Sequence, residues 1–200
     1  LGTSNAFQPQ NIDYVYNLAG QLKAINHPSL SAANDPGGDA TDAFGMQIDY
    51  YDGDYKRSNT GVVTSSNGTN QYNGNIKAIR WQNSGIGTQT GQTFNYDNNN
   101  WLTAANFGNV TGTATIGTSN NYKVSNINYD PNGNLLSLSR TRDSGAQMDN
   151  FTYNYNASTN QLNNVDDAVA ASTQSNDLDD QNTNNYEYNS IGQLVKNNQD

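Results

Sequence analysis

The sequence contains no cysteine, which excludes a disulfide framework and any metal site built on thiolates, and leaves the redox compartment open. Positive charge is scarce as well. Nine Lys and Arg stand against eighteen Asp and Glu, a formal net charge of −9, so no basic stripe is available to neutralise phosphates and nucleic acid is not an expected partner. No apolar run has the length of a membrane-spanning helix or of the h-region of a signal peptide, so no membrane span is expected. Hydrophobic residues make up only 33% of the chain, too few for a helical bundle, which would need Leu, Ala, Glu and Lys. Disorder is the competing reading of such a composition. Two features oppose it: charged residues are only 14%, few for a solvated disordered chain, and aromatic residues recur in pairs.

What the chain does have is tyrosine and small polar residues. Tyr, with 13 copies, is more frequent than Leu, Ile or Val, and Asn, Gly, Ser, Thr and Gln supply much of the remainder. Aromatic and β-branched side chains suit a pleated surface, and Asn and Gly supply the positive φ angles of turns, so the expected class is all-β.

The tyrosines are organised by a repeat. Near the start stands "DYVYNLAGQLKAIN", Asp13 to Asn26, and near the end "NYEYNSIGQLVKN", Asn185 to Asn197. Three further copies lie between them: "FNYDNNNWL" (Phe94 to Leu102), "INYDPNGNL" (Ile127 to Leu135) and "FTYNYNASTNQL" (Phe151 to Leu162). Aligned on the last Tyr before the turn, the copies fall at Tyr16, Tyr96, Tyr129, Tyr155 and Tyr188, the last four separated by 33, 26 and 33 residues. Within a copy the period is two: Ile12, Tyr14 and Tyr16 share one face of a strand, as do Phe151, Tyr153 and Tyr155. Each copy reads as a β-hairpin.

The turn chemistry supports that reading. In Asp130-Pro131-Asn132-Gly133, Asp opens a type I turn, Pro pre-sets φ, and Gly takes the left-handed conformation that forms a bulge and restores pairing. Gly20 and Gly192 fill the same slot, Asn100 stands there in the second copy, and "NASTNQ" in the fourth is one residue longer. The repeat residues are therefore Tyr14, Tyr16, Gly20 and Leu22; Tyr96, Asp97 and Leu102; Tyr129, Asp130, Gly133 and Leu135; Tyr153, Tyr155 and Leu162; and Tyr186, Tyr188, Gly192 and Leu194. Residues 1–200 read as one array, with hairpins near 12–26, 94–107, 127–140, 151–165 and 186–197. A degenerate unit lies over 44–82, where Asn73-Gly74 precedes a strand carrying Ile76, Ala78 and Arg80. Ser29 to Asp42 and Asp166 to Asn184 read as loops, with one helical turn around Ala168 to Ala171. Stacked edge to edge, the hairpins form a twisted sheet in which each buries the aromatic face of its neighbour. The pattern runs to both ends, so the chain is expected to be a segment of a longer polypeptide.

The phrase aromatic-x-Tyr-Asp/Asn-x-x-Gly-Asn/Gln-Leu, present as "YVYNLAGQL", "INYDPNGNL" and "YEYNSIGQL", resembles the YD repeat of RHS proteins. That group also includes the C components of insecticidal toxin complexes and the teneurins. The stretch "FGMQIDYYDGDYK" with "QYNGNIKAIRWQ" further resembles RHS proteins of Bacteroidota. The resemblance implies a secreted or cell-surface bacterial protein whose YD repeats spiral into a hollow β-shell enclosing a C-terminal toxin or effector. It implies as partners the remainder of the same polypeptide, its cargo domain and a secretion machine. The Asp-Pro-x-Gly-Leu signature of the family's C-terminal core is absent from this sequence, so the resemblance places none of the family's self-cleaving aspartates on it.

Little else points to chemistry. His27, in "INHPSL", has no Cys with which to form a dyad and reads as an exposed loop residue. No Gly-x-Ser-x-Gly elbow singles out a nucleophile, and no cofactor is expected. Asp177, Asp179 and Asp180 alternate loosely like a calcium loop, but Asn182 and Tyr188 occupy the positions that need Gly and Glu. Asp49, Asp52 and Glu187 offer carboxylates for glycosidic chemistry, with nothing to fix their separation. The tyrosines, Trp81 and Trp101 admit a second use as platforms for surface glycans, whereas recurrence at one slot of each hairpin is what inter-strand packing requires. The sequons at Asn67, Asn109, Asn150 and Asn156 follow from the abundance of Asn near Ser and Thr. The expected function is a non-enzymatic wall segment, the alternative an adhesion or carbohydrate-binding module.

Overall fold

The computed structural model describes residues 11–39, 42–57, 61–170 and 178–199. Among them every regular element is a strand, and no helix is long and apolar enough to cross a membrane. In chain order the strands are β1 (Tyr14–Tyr16), β2 (Leu22–Ile25), β3 (Phe44–Asp49), β4 (Lys56–Arg57), β5 (Gly61–Val62), β6 (Ala78–Asn83), β7 (Thr90–Tyr96), β8 (Leu102–Thr111), β9 (Thr115–Ile116), β10 (Val124–Tyr129), β11 (Leu135–Thr141), β12 (Gln147–Tyr155), β13 (Leu162–Asp167), β14 (Tyr186–Tyr188) and β15 (Leu194–Asn197).

Eleven strands form one antiparallel sheet in the order β1-β2-β3-β6-β7-β8-β10-β11-β12-β13, with β9 paired to β8. The order follows the chain almost throughout, as expected when each strand returns beside its predecessor through a short turn. Two pairs stand outside the main ladder: β4 with β5, and β14 with β15. The fifth hairpin is thus a separate two-stranded ribbon, where an unbroken ladder was expected.

The repeat hairpins share one irregularity. A register shift falls beside Tyr16 in β1, Tyr129 in β10, Tyr155 in β12 and Tyr188 in β14, immediately before each turn, and each of these tyrosines sits opposite a leucine: Leu22, Leu135, Leu162 or Leu194. In three of these hairpins a left-handed glycine ends the turn beside the bulge, Gly20 (φ 77°), Gly133 (φ 87°) and Gly192 (φ 84°), whereas the longer turn after Tyr155 has no left-handed residue. In the second copy Asn100 takes the same conformation (φ 66°).

The degenerate unit departs from a simple hairpin. Gly74 has φ 95°, but the strand after it begins only at Ala78 and pairs along its length with β3, from Phe44↔Asn83 to Asp49↔Ala78. Residues 50–57 and 61–77 lie between these partners in the chain and carry β4 and β5. Asp166 and Asp167, expected in a loop, extend β13 opposite Thr152 and Phe151. Residues 168–170 are irregular rather than helical, and Ala171 lies outside the described residues.

The chain divides into two compact units, 1–95 with 107–118, and 96–106 with 119–200, where the sequence read as a single array. In the first, Ala24, Ile48, Tyr50, Ala78, Ala114 and Ile116 are the buried apolar residues, and larger polar side chains are buried with them: Lys23, Gln47, Asp49, Lys77 and Arg80. The backbone is tightly stacked there. A Cβ on Gly45 would lie 2.2 Å from the His27 carbonyl oxygen, and one on Gly108 would lie 1.9 Å from that of Gly117. In the second unit Ala105, Ile127, Phe151 and Val165 are buried beside Asp149, whose carboxylate receives Arg140. The Arg140 guanidinium also lies over the Phe151 ring at 5.6 Å, a cation–π contact.

Candidate functional site

Three arrangements stand out: a latch repeated at the hairpins, a buried charge network, and two clefts in the first unit.

The latch begins with the Asp or Asn that follows the last tyrosine of the motif. Asp130 Oδ1 accepts the amides of Asn132 (2.8 Å) and Asn134 (2.9 Å). Asn17 Oδ1 does the same for Ala19 and Gln21, Asp97 for Asn99 and Trp101, and Asn189 for Ile191 and Gln193. One side-chain oxygen therefore closes the turn in place of two water contacts. The residue after the glycine slot completes the clasp. Asn134 donates its amide to Asp130 Oδ2 at 2.8 Å, and the amides of Asn17 and Asn189 donate to Gln21 and Gln193. This explains the Asp/Asn and Asn/Gln alternation of the motif: a carboxylate accepts from a carboxamide, and an Asn amide donates to a Gln carbonyl. The fourth turn is longer by one residue, closing from the Asn156 amide to Gln161 O rather than over four residues as in the other copies. Asn156 Oδ1 there accepts instead from Asn163.

The tyrosine hydroxyl then ties one hairpin to the one before it. Tyr129 OH donates to Leu102 O at 2.9 Å, Tyr155 OH to Leu135 O at 2.9 Å, and Tyr188 OH to Leu162 O at 3.0 Å. In the first unit Tyr50 OH donates to Leu22 O at 3.1 Å. Every acceptor is the leucine that closes the preceding copy. Each of these hydroxyls reaches a backbone carbonyl rather than a side chain, and the strand of Leu135 is directly paired with that of Tyr155. Burial pushes the Tyr129 and Tyr155 phenols up, helped by the nearby carboxylates of Asp97 and Asp130 respectively, so the donor form persists through the neutral range.

The first tyrosine of each copy has other roles. Tyr14 is 56% exposed, Tyr153 packs edge-on to Phe151 at 6.2 Å, and the Tyr186 hydroxyl accepts from the Gln181 amide at 3.0 Å. Tyr16 is also 56% exposed, Tyr96 closes β7, and Leu194 is 55% exposed on β15. Trp101 pairs with Tyr129 at 5.2 Å and covers Gly133, and Trp81 pairs with Phe107 at 6.2 Å.

The charge network was not legible in the sequence. Lys23 Nζ lies 2.6 Å from Asp49 and 2.7 Å from Asp54. Gln47 bridges onward, donating to Asp49 Oδ1 and accepting from Arg80, each at 2.7 Å. Arg80 also donates to the carbonyls of Thr64 and Thr113. Burial alone would push the Asp49 carboxyl up. The charge and hydrogen bond of Lys23, with bonds from Gln47 and the Ser66 amide, outweigh it and hold the group below the usual range. The register sets Gln47 opposite Ala24 on one side and Arg80 on the other, so the network clamps β2, β3 and β6. A nearby pair joins Lys77 to Asp52 at 2.6 Å.

One cleft of about 510 Å³ borders this network and is lined by Lys23, His27, Tyr55, Arg57, Arg80 and Thr113 among others. His27 lies in its wall, half-buried rather than exposed. Burial, with Arg80 nearby, lowers its pKa to about 4, and its Nδ1 accepts the Ser29 amide at 3.1 Å. A second cleft of about 430 Å³ holds Tyr50, Tyr51, Tyr72, Asn17, Gln21 and Asn73.

The carboxylates considered for glycosidic chemistry are each engaged structurally. Asp49 and Asp52 bind Lys23 and Lys77, and Glu187 accepts from Asn198 at 3.0 Å with Lys196 at 3.5 Å. Asp180 receives the Asp167 amide, while Asp177 lies outside the described residues. Of the sequons, Asn67 is occupied in pairing with both backbone groups of Ile116. Compared with known protein families and with curated proteins, the chain matches no family model and no curated protein.

Proposed function

We propose that this chain is a non-enzymatic wall segment of a YD-repeat shell of the RHS type, secreted or displayed at a bacterial surface, which encloses and helps deliver a C-terminal toxin or effector. The observation that supports the reading is the tyrosine latch. The hydroxyls of Tyr129, Tyr155 and Tyr188, and that of Tyr50 in the first unit, are donated to the closing leucine of the preceding hairpin, so an added copy of this kind brings its own fastening to the last. Such a rule extends a wall by repetition without a new interface for each unit. The exposed Leu194 and Val195 on β15 would receive the next copy in the same way. The reading requires further repeats on the same polypeptide. Electron microscopy of the full gene product is expected to show hollow β-walled particles whose cargo resists added protease. Solid or extended particles with accessible cargo would refute the proposal.

A second reading, a carbohydrate-binding surface module, is favoured by the smaller cleft. Tyr51 and Tyr72 lie 4.9 Å apart with planes tilted by 33°, Tyr72 is 76% exposed, and the amides of Gln21 and Asn73 rim them. A glycan array separates the two. Binding that is lost in Tyr72→Ala supports adhesion, and a blank array removes it.

A further inference from the structure

In sequence Asp177, Asp179 and Asp180 alternate loosely like a calcium loop, but the fold assembles carboxylates elsewhere. Asp13 precedes β1, while Asp35 and Asp39 lie in the loop between β2 and β3. One carboxylate oxygen from each lies within 4.8 Å of the others. Oxygens that share one calcium ion, each about 2.4 Å from it, lie no more than about 4.8 Å apart, so this spacing is compatible with a common ion.

An acidic cluster alone means little, and two independent features distinguish this one. The first is Asp35. It is 1% exposed, and its Oδ1 is buried with no hydrogen-bond partner. Its Oδ2 is fully engaged, accepting the amides of Gly37 and Gly38 at 2.8 Å and of Asp39 at 3.3 Å. A buried carboxylate oxygen without a donor, close to two further carboxylates, is costly unless a positive charge joins them. The nearby Arg57 directs its guanidinium to the carbonyls of Asn34, Asp35 and Pro36. The second feature is Gly37. A Cβ there would sit 2.2 Å from Asp13 Oδ2, so the absence of a side chain is what lets the Asp13 carboxylate approach the loop.

We infer that Asp13, Asp35 and Asp39 form a calcium site that pins the loop between β2 and β3 to the start of β1. The donors are all hard oxygens with no imidazole or thiolate, which selects calcium over zinc. Magnesium is disfavoured because it demands near-octahedral geometry and gives up its water reluctantly. The same loop supplies Ala33, Asn34 and Pro36 to the wall of the larger cleft, so the ion also sets the shape of that cleft.

The test is calorimetric titration of chelator-treated protein with calcium chloride and, separately, magnesium chloride. It is accompanied by thermal unfolding in each salt. One calcium per chain is expected, with a dissociation constant on the order of 0.1–1 mM, the range of extracellular modules, and a higher Tm in calcium than in magnesium. Asp39→Asn, at a half-buried position, and Asp13→Asn should each weaken binding at least about tenfold, since affinity follows ligand charge. Asp143→Asn, at an exposed turn, should leave it unchanged. Far-UV circular dichroism confirms that each variant folds. Absence of binding heat and of a Tm shift up to about 10 mM calcium overturns the inference. So does binding that survives in folded Asp39→Asn and Asp13→Asn at wild-type strength, which would place the ion elsewhere.

Discussion

Replacing Tyr155 by Phe removes one oxygen atom and leaves the ring in place. The lost bond, 2.9 Å to Leu135 O, is neutral on both sides, and its net worth is about 1 kcal/mol, within a range of about 0.5–1.5. Leu135 is half-buried, so water can reach its carbonyl in part and the full cost of a stranded buried acceptor is not expected. With a urea m-value of about 2 kcal/mol/M, the unfolding midpoint should fall by roughly 0.5 M with m unchanged. Tyr129 and Tyr188 have separate acceptors, so the triple Phe variant should lose about 3 kcal/mol if the sites are independent. Tyr16→Phe is the control, because that residue is 56% exposed; its midpoint should move by less than about 0.2 M. The measurement is urea unfolding followed by circular dichroism. If Tyr155→Phe proves as neutral as Tyr16→Phe, the hydroxyl contributes no fastening, and the argument from latch to extensible wall fails with it.

Two further predictions rest on the turns and on His27. Gly133→Ala should destabilise by about 1–2 kcal/mol, since it places a Cβ at φ 87° and 3.3 Å from the Trp101 ring. By contrast Asn100→Gly, at φ 66°, should be neutral or stabilising by a few tenths of a kcal/mol; matched urea midpoints for the pair check both. The His27 pKa is lowered from 6.5 to about 4, so the unfolded chain binds more protons than the folded one between those values. The contribution of a neutral His27 to stability is complete above pH 6.5 and is lost progressively as pH falls toward 4. Midpoints measured across pH 4–7 should show this slope, and His27→Gln should flatten it.

Alternation and turn chemistry carried much of the fold by themselves. Tyr-x-Tyr followed by Asn or Asp and a glycine slot is a local instruction. It determines strand, turn, left-handed residue and bulge within about ten residues, because side-chain alternation and the steric limits on φ act between near neighbours. Asn100 taking φ 66° where other copies have glycine shows how closely the local code is followed. The hydroxyl-to-leucine latch was half visible: the residues were in the motif, but the acceptor is a carbonyl, which no residue identity announces.

The tertiary structure alone decided the rest. Lys23, Gln47, Asp49 and Arg80 come from three strands far apart in the chain, and only the register places Gln47 beside Arg80. Asp13, Asp35 and Asp39 have no motif spacing, and they meet because Gly37 lacks a Cβ and the hairpin returns the chain past its own start. His27 looked like an exposed loop residue and is half-buried, because exposure depends on what packs over a position and not on the residue itself. Sequence governs what is set by contacts between neighbours. Long-range partners are set by strand register and loop path, which depend on the free energy of the whole fold.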